Sequence, residues 1–327
     1  MKHSEVSLLI GSTGFIGRNL AHYLNAKGEQ VVGTYAHPSQ KGKFDPKIRL
    51  VSCDVTRPSD LLRVLRRFKP RYIYYLAAQS SIRHAWLQPI ETFQINFLGG
   101  VYLLEAVRQL KLNAKVLIFS SSTTYGESYD SKKALTEEAS LKPKDPYSLS
   151  KMSIDFFGRL YAKVHDMKVS VVRLANFTGP GQTTIFSIPN FASQIVKIEA
   201  ELQAPIIDVG NLSARRDYLD IRDGVRAFHL AMKYGKKGEA YNISSGQSRT
   251  LRDVLNTLLD LSKLKRKAIQ IRKKTTLIPK DEIAEIRLNS TKFMRLTGWR
   301  CHFSFAQTAR DILNDWRSQI SHSSNAR

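Results

Sequence analysis

The chain order predicts a doubly wound α/β fold of Rossmann type with a smaller α/β lobe toward the C-terminus. Three observations carry this expectation. Short runs rich in Val, Ile and Leu alternate with helical patterns through the first 175 residues. A glycine-spaced turn, Gly11-Ser12-Thr13-Gly14-Phe15-Ile16-Gly17, follows the first of those runs. A length of 327 residues suits one large sheet domain plus a lobe.

Strands are expected at 6–10, 30–34, 48–52, 72–76, 115–120 and 169–174, with helices at 15–27, 59–68, 92–110 and 147–165. The strand runs are apolar without alternation, as strands buried on both faces require. Their β-α-β order implies a parallel sheet with right-handed crossovers. The rhythm breaks at the turn cluster Gly179-Pro180-Gly181-Gln182. Beyond it come a helix at 188–202, a strand at 206–209, and a helix at 224–234 with a strand at 240–243 that can return to the sheet. From Thr250 onward the pattern is helical with one strand at 268–272. Residues 1–175 with about 220–245 are therefore assigned to the dinucleotide-binding domain, and 176–219 with 246–327 to the lobe.

In the glycine turn, Gly11 permits a tight bend and Gly14 lets backbone amides approach a pyrophosphate. Gly17 lets the helix pack closely on the strand, and the helix N-terminus faces the anion. The spacing is one residue longer than the usual dinucleotide fingerprint. Its place between the first strand and a helix nevertheless assigns Gly11, Thr13, Gly14, Phe15, Ile16 and Gly17 to cofactor binding. An acid at the end of the second strand would hold the ribose 2′-hydroxyl of NAD. Val32-Gly33-Thr34-Tyr35-Ala36-His37 contains none, and Lys41 and Lys43 follow. NADP(H) is thus favoured over NAD(H), although the arginine expected beside a 2′-phosphate is also missing. Asp54 has two readings, a contact to the adenine edge and a plain helix cap.

Downstream, Asp145-Pro146-Tyr147-Ser148-Leu149-Ser150-Lys151 combines an N-cap and a first-turn proline with Tyr147 and Lys151 one turn apart on one helix face. A neighbouring cation favours the ionised phenol, so the pair is expected to make a proton donor usable near neutrality. The strand end Phe119-Ser120-Ser121-Ser122-Thr123-Thr124-Tyr125-Gly126 places hydroxyls at the C-terminal edge of the sheet, where such folds bind ligands. A hydroxyl there can hold a substrate oxygen as charge develops on it.

Together these residues resemble the short-chain dehydrogenase/reductase superfamily in its extended, sugar-nucleotide-modifying branch. Further matches are Leu76-Ala77-Ala78-Gln79-Ser80, Asn96 with Gly99, Arg173-Leu174-Ala175-Asn176, and the stretch from Gly210 through Arg216-Asp217-Tyr218. The wording is most similar to GDP-mannose 4,6-dehydratases and GDP-4-keto-6-deoxymannose reductases, the segment from Gly179 to Val196 particularly to the reductases. The resemblance implies Tyr147 as acid/base, Lys151 on the nicotinamide ribose, and Ser121, four residues before Tyr125, as third member of the triad, with Ser122 as fallback. It also implies cofactor contacts at Asp54, Val55, Leu76, Ala77, Ala78 and Asn96, and substrate contacts at Ser80, Ser122, Asn176, Arg216 and Glu282. Arg216 would meet the diphosphate, its alternative being an ion pair with Asp217 or Asp220. The reductases carry an Arg-Pro-x-Glu-like segment where this chain reads Ile278-Pro279-Lys280-Asp281-Glu282, so the arginine is absent and Lys280 is its only substitute.

Dehydration needs a carboxylic acid to protonate the departing hydroxyl, and the resemblance implies its place shortly before Tyr125-Gly126, where this chain has Thr123 and Thr124; Glu127 lies past Gly126. A threonine does not titrate near neutrality. Reduction of a 4-keto nucleotide sugar, with GDP as the favoured nucleotide, is therefore the first reading, 4-epimerisation the second and 4,6-dehydration the third. A non-catalytic dinucleotide-binding protein with a polyanion-binding surface would keep the glycine turn and lose the triad, and the triad is intact.

Lys+Arg number 51 against Asp+Glu 28, a net charge of +23, which points to anionic partners. The densest basic run, Lys263 to Lys274, has no zinc-finger spacing or aromatic motif beside it and reads as a solvated face, so nucleic acid is not the expected partner. Cys53 and Cys301 offer neither a disulfide framework nor metal spacing. The polar start Met1-Lys2-His3-Ser4-Glu5 and the lack of a long apolar run predict a cytoplasmic protein with no membrane partner. By the resemblance, a homodimer forms through helices 92–110 and 147–165.

Overall fold

A computed structural model of the chain describes residues 5–129, 133–277 and 283–325, the side chains of 41–43 and 322–325 excepted. The strands in chain order are β1 (Val6–Ile10), β2 (Gln30–Tyr35), β3 (Arg49–Ser52), β4 (Tyr72–Tyr75), β5 (Lys115–Ser121), β6 (Lys168–Leu174) and β7 (Asn176–Thr178). They continue as β8 (Ile206–Val209), β9 (Arg215–Asp220), β10 (Ala240–Ile243), β11 (Ser248–Thr250), β12 (Gln270–Lys273) and β13 (Glu285–Ile286). The helices are α1 (Phe15–Ala26), α2 (Pro58–Phe68), α3 (Ile82–Leu87), α4 (Pro89–Phe93), α5 (Gly99–Gln109) and α6 (Pro146–Val164). After them come α7 (Ser187–Glu199), α8 (Ile221–Tyr234), α9 (Leu251–Asp260), α10 (Thr291–Thr297) and α11 (Phe305–Asn325).

Seven strands build one sheet in the order β10-β6-β5-β4-β1-β2-β3, with every pairing parallel. Strand side chains alternate between faces, so a continuous apolar run feeds two cores at once. Leu9, Tyr74, Leu117, Phe119 and Val172 enter one core, which α1 and α8 cover through Leu20, Leu24, Val225 and Phe228. Leu8, Ile10, Ile73, Tyr75, Val116, Ile118, Val169 and Val171 enter the other, covered by α2, α5 and α6 through Leu61, Leu65, Leu103, Leu104 and Ile154. Each fully buried leucine or isoleucine contributes about 1.5–3 kcal/mol relative to an exposed one. The order reverses between β1 and β4, and in such sheets ligands bind beyond the strand C-termini at that reversal.

The strand at 240–243 does rejoin the sheet, pairing with β6 in the register Ala240↔Val171. A third core gathers α7, α9, α11 and β8 around Ile195, Ile207, Val254, Leu258 and Leu313. The strand expected at 268–272 is β12, beside β8. β9 was not foreseen, because Arg215-Arg216-Asp217-Tyr218-Leu219-Asp220 reads as polar; it nevertheless lies between β11 and β13 and also pairs with β7. Its polar side chains have partners, as Asp220 with Arg222 at 2.7 Å.

The single helix expected at 92–110 is instead α4, a π-turn over Gln94–Leu98, and α5. The widened turn frees the Ile95 carbonyl from the regular ladder, and the Tyr75 hydroxyl donates to it at 2.8 Å. Gly99 then passes so close that a Cβ would stand 2.7 Å from the Tyr75 hydroxyl oxygen. No helix among the described residues is long and apolar enough to cross a membrane.

Candidate active site

The glycine turn leaves β1 with Gly11 at φ +85, and a Cβ there would lie 2.6 Å from the Ala77 amide nitrogen. That close approach locks the ends of β1 and β4 together. Gly17 is equally constrained, since its Cβ would meet the Gly11 carbonyl at 2.6 Å. Gly14 differs: a Cβ would meet nothing nearer than 3.7 Å, so the turn is open on this side. Gly14 also caps α1 with no side-chain hydrogen bond, and the first turn of α1 holds no acid. Uncapped N–H groups at a 12-residue helix with an open glycine in front suit a pyrophosphate, so the residues present fit a dinucleotide. Ser12 is buried and its hydroxyl donates to the Thr34 carbonyl at 2.9 Å, tying the turn to β2.

Beyond β2, the Gln40 side-chain oxygen accepts from the Thr13 hydroxyl and from the Ala36 and His37 N–H groups. Sequence reading passed over Gln40, which lies in a polar loop with no motif. The side chains of Lys41 and Lys43 lie outside the described residues. Asp54 Oδ1 accepts from the Thr56 N–H at 3.0 Å and hydroxyl at 2.7 Å, a turn ahead of α2 whose N-cap is Arg57, so Asp54 is not the helix cap that its second reading expected. Val55 is buried in the core beneath Gly99.

Leu76, Ala77, Ala78 and Ser80 form the loop leaving β4, with Ala78 and Ser80 exposed. Asn96, in the π-turn, organises this loop from below. Its Oδ1 accepts from the Gln79 N–H at 2.8 Å, and its Nδ2 donates to the Gln79 carbonyl and the Ser150 hydroxyl, both at 3.0 Å. Asn96 is fully buried. Its amide is spent on positioning the chain.

The catalytic helix begins as expected. Asp145 caps it, with Oδ1 accepting from the Ser148 N–H at 2.9 Å and Oδ2 from the Ser148 hydroxyl at 2.6 Å, and Pro146 fills the first turn. Ser121 ends β5, and its hydroxyl hydrogen-bonds with Thr123 Oγ1 at 2.9 Å and accepts the Thr123 N–H. Ser121 lies close enough to Tyr147 to favour its ionised form, which brings the two predicted hydroxyls together; Ser121 keeps 8% exposure and Ser122 2%.

The electrostatics correct one expectation. Burial pushes the Tyr147 phenol up to about 12, against the Ser121 hydrogen bond that pulls it down and with the Asp145 charge raising it further. Lys151 is not among the groups acting on it. Removing a phenolate from water outweighs the single hydroxyl that stabilises it. Lys151 is itself buried, and burial alone lowers its ammonium to about 8. The site therefore holds a neutral phenol and, four residues further along α6, a buried ammonium that loses its proton just above neutrality.

No carboxylate takes the dehydratase position. Thr124 is buried and donates to the Ser121 carbonyl at 2.6 Å, while Glu127 faces Lys144 at 3.6 Å. Behind the helix, Arg173 of β6 and Asp155 of α6 form a buried ion pair at 2.7 Å, and Arg173 also donates to Tyr125 Oη at 3.0 Å.

Asn176 opens β7, in register with Tyr218 of β9. Arg216 pairs with neither acid considered for it. Its Nη1 donates at 2.7 Å to the Arg215 and Ile283 carbonyls. Asp217 is turned away, accepting from Ser245 and Gly246, and burial pushes its carboxyl up to about 6. Asp220 is engaged by Arg222 and by the Thr308 hydroxyl. Lys280 and Glu282 lie outside the described residues.

The comparisons with known proteins agree with this arrangement. A family model described as GDP-mannose 4,6 dehydratase matches residues 8–312. The GDP-6-deoxy-D-mannose reductase of Pseudomonas aeruginosa is 28% identical over 95% of this chain and 96% of its own length. A UDP-glucose 4-epimerase of Mycolicibacterium smegmatis is 26% identical over 96% of this chain and 99% of its own. Among solved structures, RMD from Pseudomonas aeruginosa complexed with NADPH superposes with a TM-score of 0.82 at 27% identity, covering 96% of this chain and 99% of that one.

Proposed function

The chain belongs to the GDP-mannose 4,6 dehydratase family, and from that premise we propose that it is an NAD(P)H-dependent oxidoreductase that reduces the 4-keto group of a nucleotide-linked 4-keto-6-deoxy sugar. GDP is the favoured nucleotide and NADPH the favoured cofactor. The observation that carries this reading is the meeting of Ser121 with a protonated Tyr147 on the helix that buries Lys151, with threonines where a dehydrating acid would stand. Asp145, the carboxylate whose charge acts on the phenol, has both oxygens bonded to Ser148.

In this mechanism Gly11, Gly14 and the first turn of α1 hold the pyrophosphate, and Leu76 to Ala78 line the dinucleotide. A reduced nicotinamide held there would supply the hydride equivalent that reduction at C4 requires. Tyr147 gives its phenolic proton to the ketone oxygen, which becomes the hydroxyl. The Ser121 hydroxyl holds the same oxygen as negative charge gathers on it. The Lys151 ammonium stabilises the tyrosinate left behind and orients the ribose. Asn176 and Arg216 are assigned to the sugar nucleotide, Arg216 releasing the backbone carbonyl it now holds to meet a phosphate.

A second reading, 4-epimerisation, is favoured by the full-length similarity to the epimerase and uses the same three residues. Purified protein given NADPH and GDP-4-keto-6-deoxymannose separates the two. Stoichiometric NADPH consumption with alcohol formed supports reduction. Interconversion of UDP-glucose and UDP-galactose with no net cofactor turnover sinks it.

The homodimer belongs to the same proposal. α6 carries an exposed apolar stripe, Leu149, Phe156, Leu160 and Val164, at helical spacing. Sedimentation should give twice the chain mass, and Phe156→Glu should shift it to monomer. A cytoplasmic location accompanies this reading.

A further inference from the structure

Hydroxyl residues run without a break from Ser120 to Thr124, and their protons go to different places. Ser120 donates to the Lys151 carbonyl at 3.3 Å and Thr124 to the Ser121 carbonyl at 2.6 Å, so both are committed to the backbone. Thr123 meets a side chain instead. Its N–H donates to Ser121 Oγ at 3.2 Å, and its Oγ1 stands 2.9 Å from the same atom. Ser121 is the hydroxyl that the proposed reduction sets on the ketone oxygen.

A serine hydroxyl has one proton and two lone pairs. The Thr123 N–H fills one lone pair of Ser121, and the contact at 2.9 Å admits two directions. With Ser121 as donor, its only proton goes to Thr123 and none remains for a ketone. With Thr123 as donor, both lone pairs of Ser121 are filled and its own proton must leave the pair. A ketone oxygen only accepts, so a bound substrate selects the second direction. A hydroxyl that accepts is polarised into a stronger donor. The gain grows as negative charge gathers on the ketone oxygen, so it favours the transition state over the bound substrate. The turn that carries Thr123 is fixed on its far side, where the buried Tyr125 hydroxyl donates to Asn242 Oδ1 at 2.8 Å.

We infer that Thr123 is a positioning residue for the reduction: its hydroxyl donates to Ser121 Oγ and thereby directs the Ser121 proton onto the ketone oxygen at C4. This inference rests on the reductase reading and adds a hydroxyl that acts on the substrate only through Ser121.

Thr123→Val keeps the shape and removes the hydroxyl, while Thr123→Ser keeps the hydroxyl. With NADPH and GDP-4-keto-6-deoxymannose, kcat should fall about three- to tenfold in Thr123→Val, the worth of one hydrogen bond, with KM within about twofold. Thr123→Ser should restore most of the loss. In a Ser121→Ala background, Thr123→Val should cost nothing further, because its route to the substrate is already gone. A readout without turnover is the infrared stretch of the 4-keto carbonyl bound in the absence of NADPH. It should lie lower in the wild type and Thr123→Ser than in Thr123→Val. An unchanged kcat or an unshifted carbonyl in Thr123→Val would overturn the inference, as would an equal loss in the Ser121→Ala background. A rise in KM alone would make Thr123 a substrate contact and overturn it too. Wild-type turnover that Thr123→Val leaves intact sinks this inference alone, whereas a wild type that consumes no NADPH sinks the reductase reading beneath it. An unchanged thermal midpoint in each variant verifies folding.

Discussion

Asn96 donates from Nδ2 to Ser150 Oγ at 3.0 Å, joining the π-turn to the helix segment between Tyr147 and Lys151. Ser150 passes the contact on, donating to the Tyr147 carbonyl at 2.7 Å. The same Asn96 amide holds both backbone groups of Gln79, so one buried side chain sets the β4 loop against the catalytic helix.

Asn96→Ala should therefore damage stability and turnover together. Leaving the buried Gln79 and Ser150 groups unsatisfied costs about 1–3 kcal/mol, readable by urea denaturation. A misplacement of about 1 Å at the chemistry can cost about a hundredfold in rate. Asn96→Asp keeps the acceptor for the Gln79 N–H and should recover part of the stability. Full activity in Asn96→Ala would exclude the positioning role.

Tyr147→Phe should retain folding and dinucleotide binding while kcat falls by about 10²–10⁴, the usual worth of a positioned proton donor. Steady-state kinetics with NADPH and the keto sugar gives the comparison. Turnover retained in the variant would remove Tyr147 from the mechanism.

The pH profile should be limited from the alkaline side. Lys151 is a cation below about 8 and neutral above it, so the charge that supports Tyr147 is lost as pH rises through that value. The phenol, near 12, stays protonated throughout pH 6–10. Log kcat/KM should bend downward near pH 8, and Lys151→Arg should move the bend upward because guanidinium does not deprotonate in that range. A bend that Lys151→Arg leaves in place belongs to another group.

Two glycines of the same turn should behave oppositely. Gly11→Ala forces a Cβ to 2.6 Å from the Ala77 nitrogen at φ +85 and should destabilise the fold by several kcal/mol, roughly the sum of a backbone clash and a left-handed penalty of about 1–2 kcal/mol. Gly14 has φ −69, open to any residue, so Gly14→Ala should leave thermal stability within about 0.5 kcal/mol of the parent. Its added methyl should instead weaken NADPH binding, measured by fluorescence titration.

Arg173→Met should cost about 1–3 kcal/mol, because it strips the buried Asp155 of its buried partner and leaves it only Arg159, at 2.9 Å. Chemical denaturation reads this directly. Replacing both partners with apolar residues should recover much of the loss.

The order of elements, the parallel sheet and the glycine turn were legible in the chain itself, because apolar periodicity and glycine spacing are local properties. So were Asp145 as helix cap and the spacing of Tyr147 with Lys151, which four consecutive backbone steps decide. Ser121 came from resemblance, not from its own chemistry, since Ser120 and Ser122 are alike in sequence; only the end of β5 presents Ser121 to Tyr147. β9 was missed because its polar residues find their partners far along the chain, Asp217 with Ser245 and Asp220 with Thr308.

Tertiary structure decided what depends on distant groups and on water. It interrupted the long helix at a π-turn because Tyr75 from a neighbouring strand takes the Ile95 carbonyl. It made Asn96 a buried brace between the β4 loop and α6. It placed the Tyr147 phenol near 12 and the Lys151 ammonium near 8, where spacing alone suggested a phenol drawn down by its neighbour. Sequence carries residue type and local spacing, and these determined the fold and the proposed catalytic set. Desolvation and long-range hydrogen bonds exist only once the chain has closed around the site, and they set each group's charge and the atoms it holds.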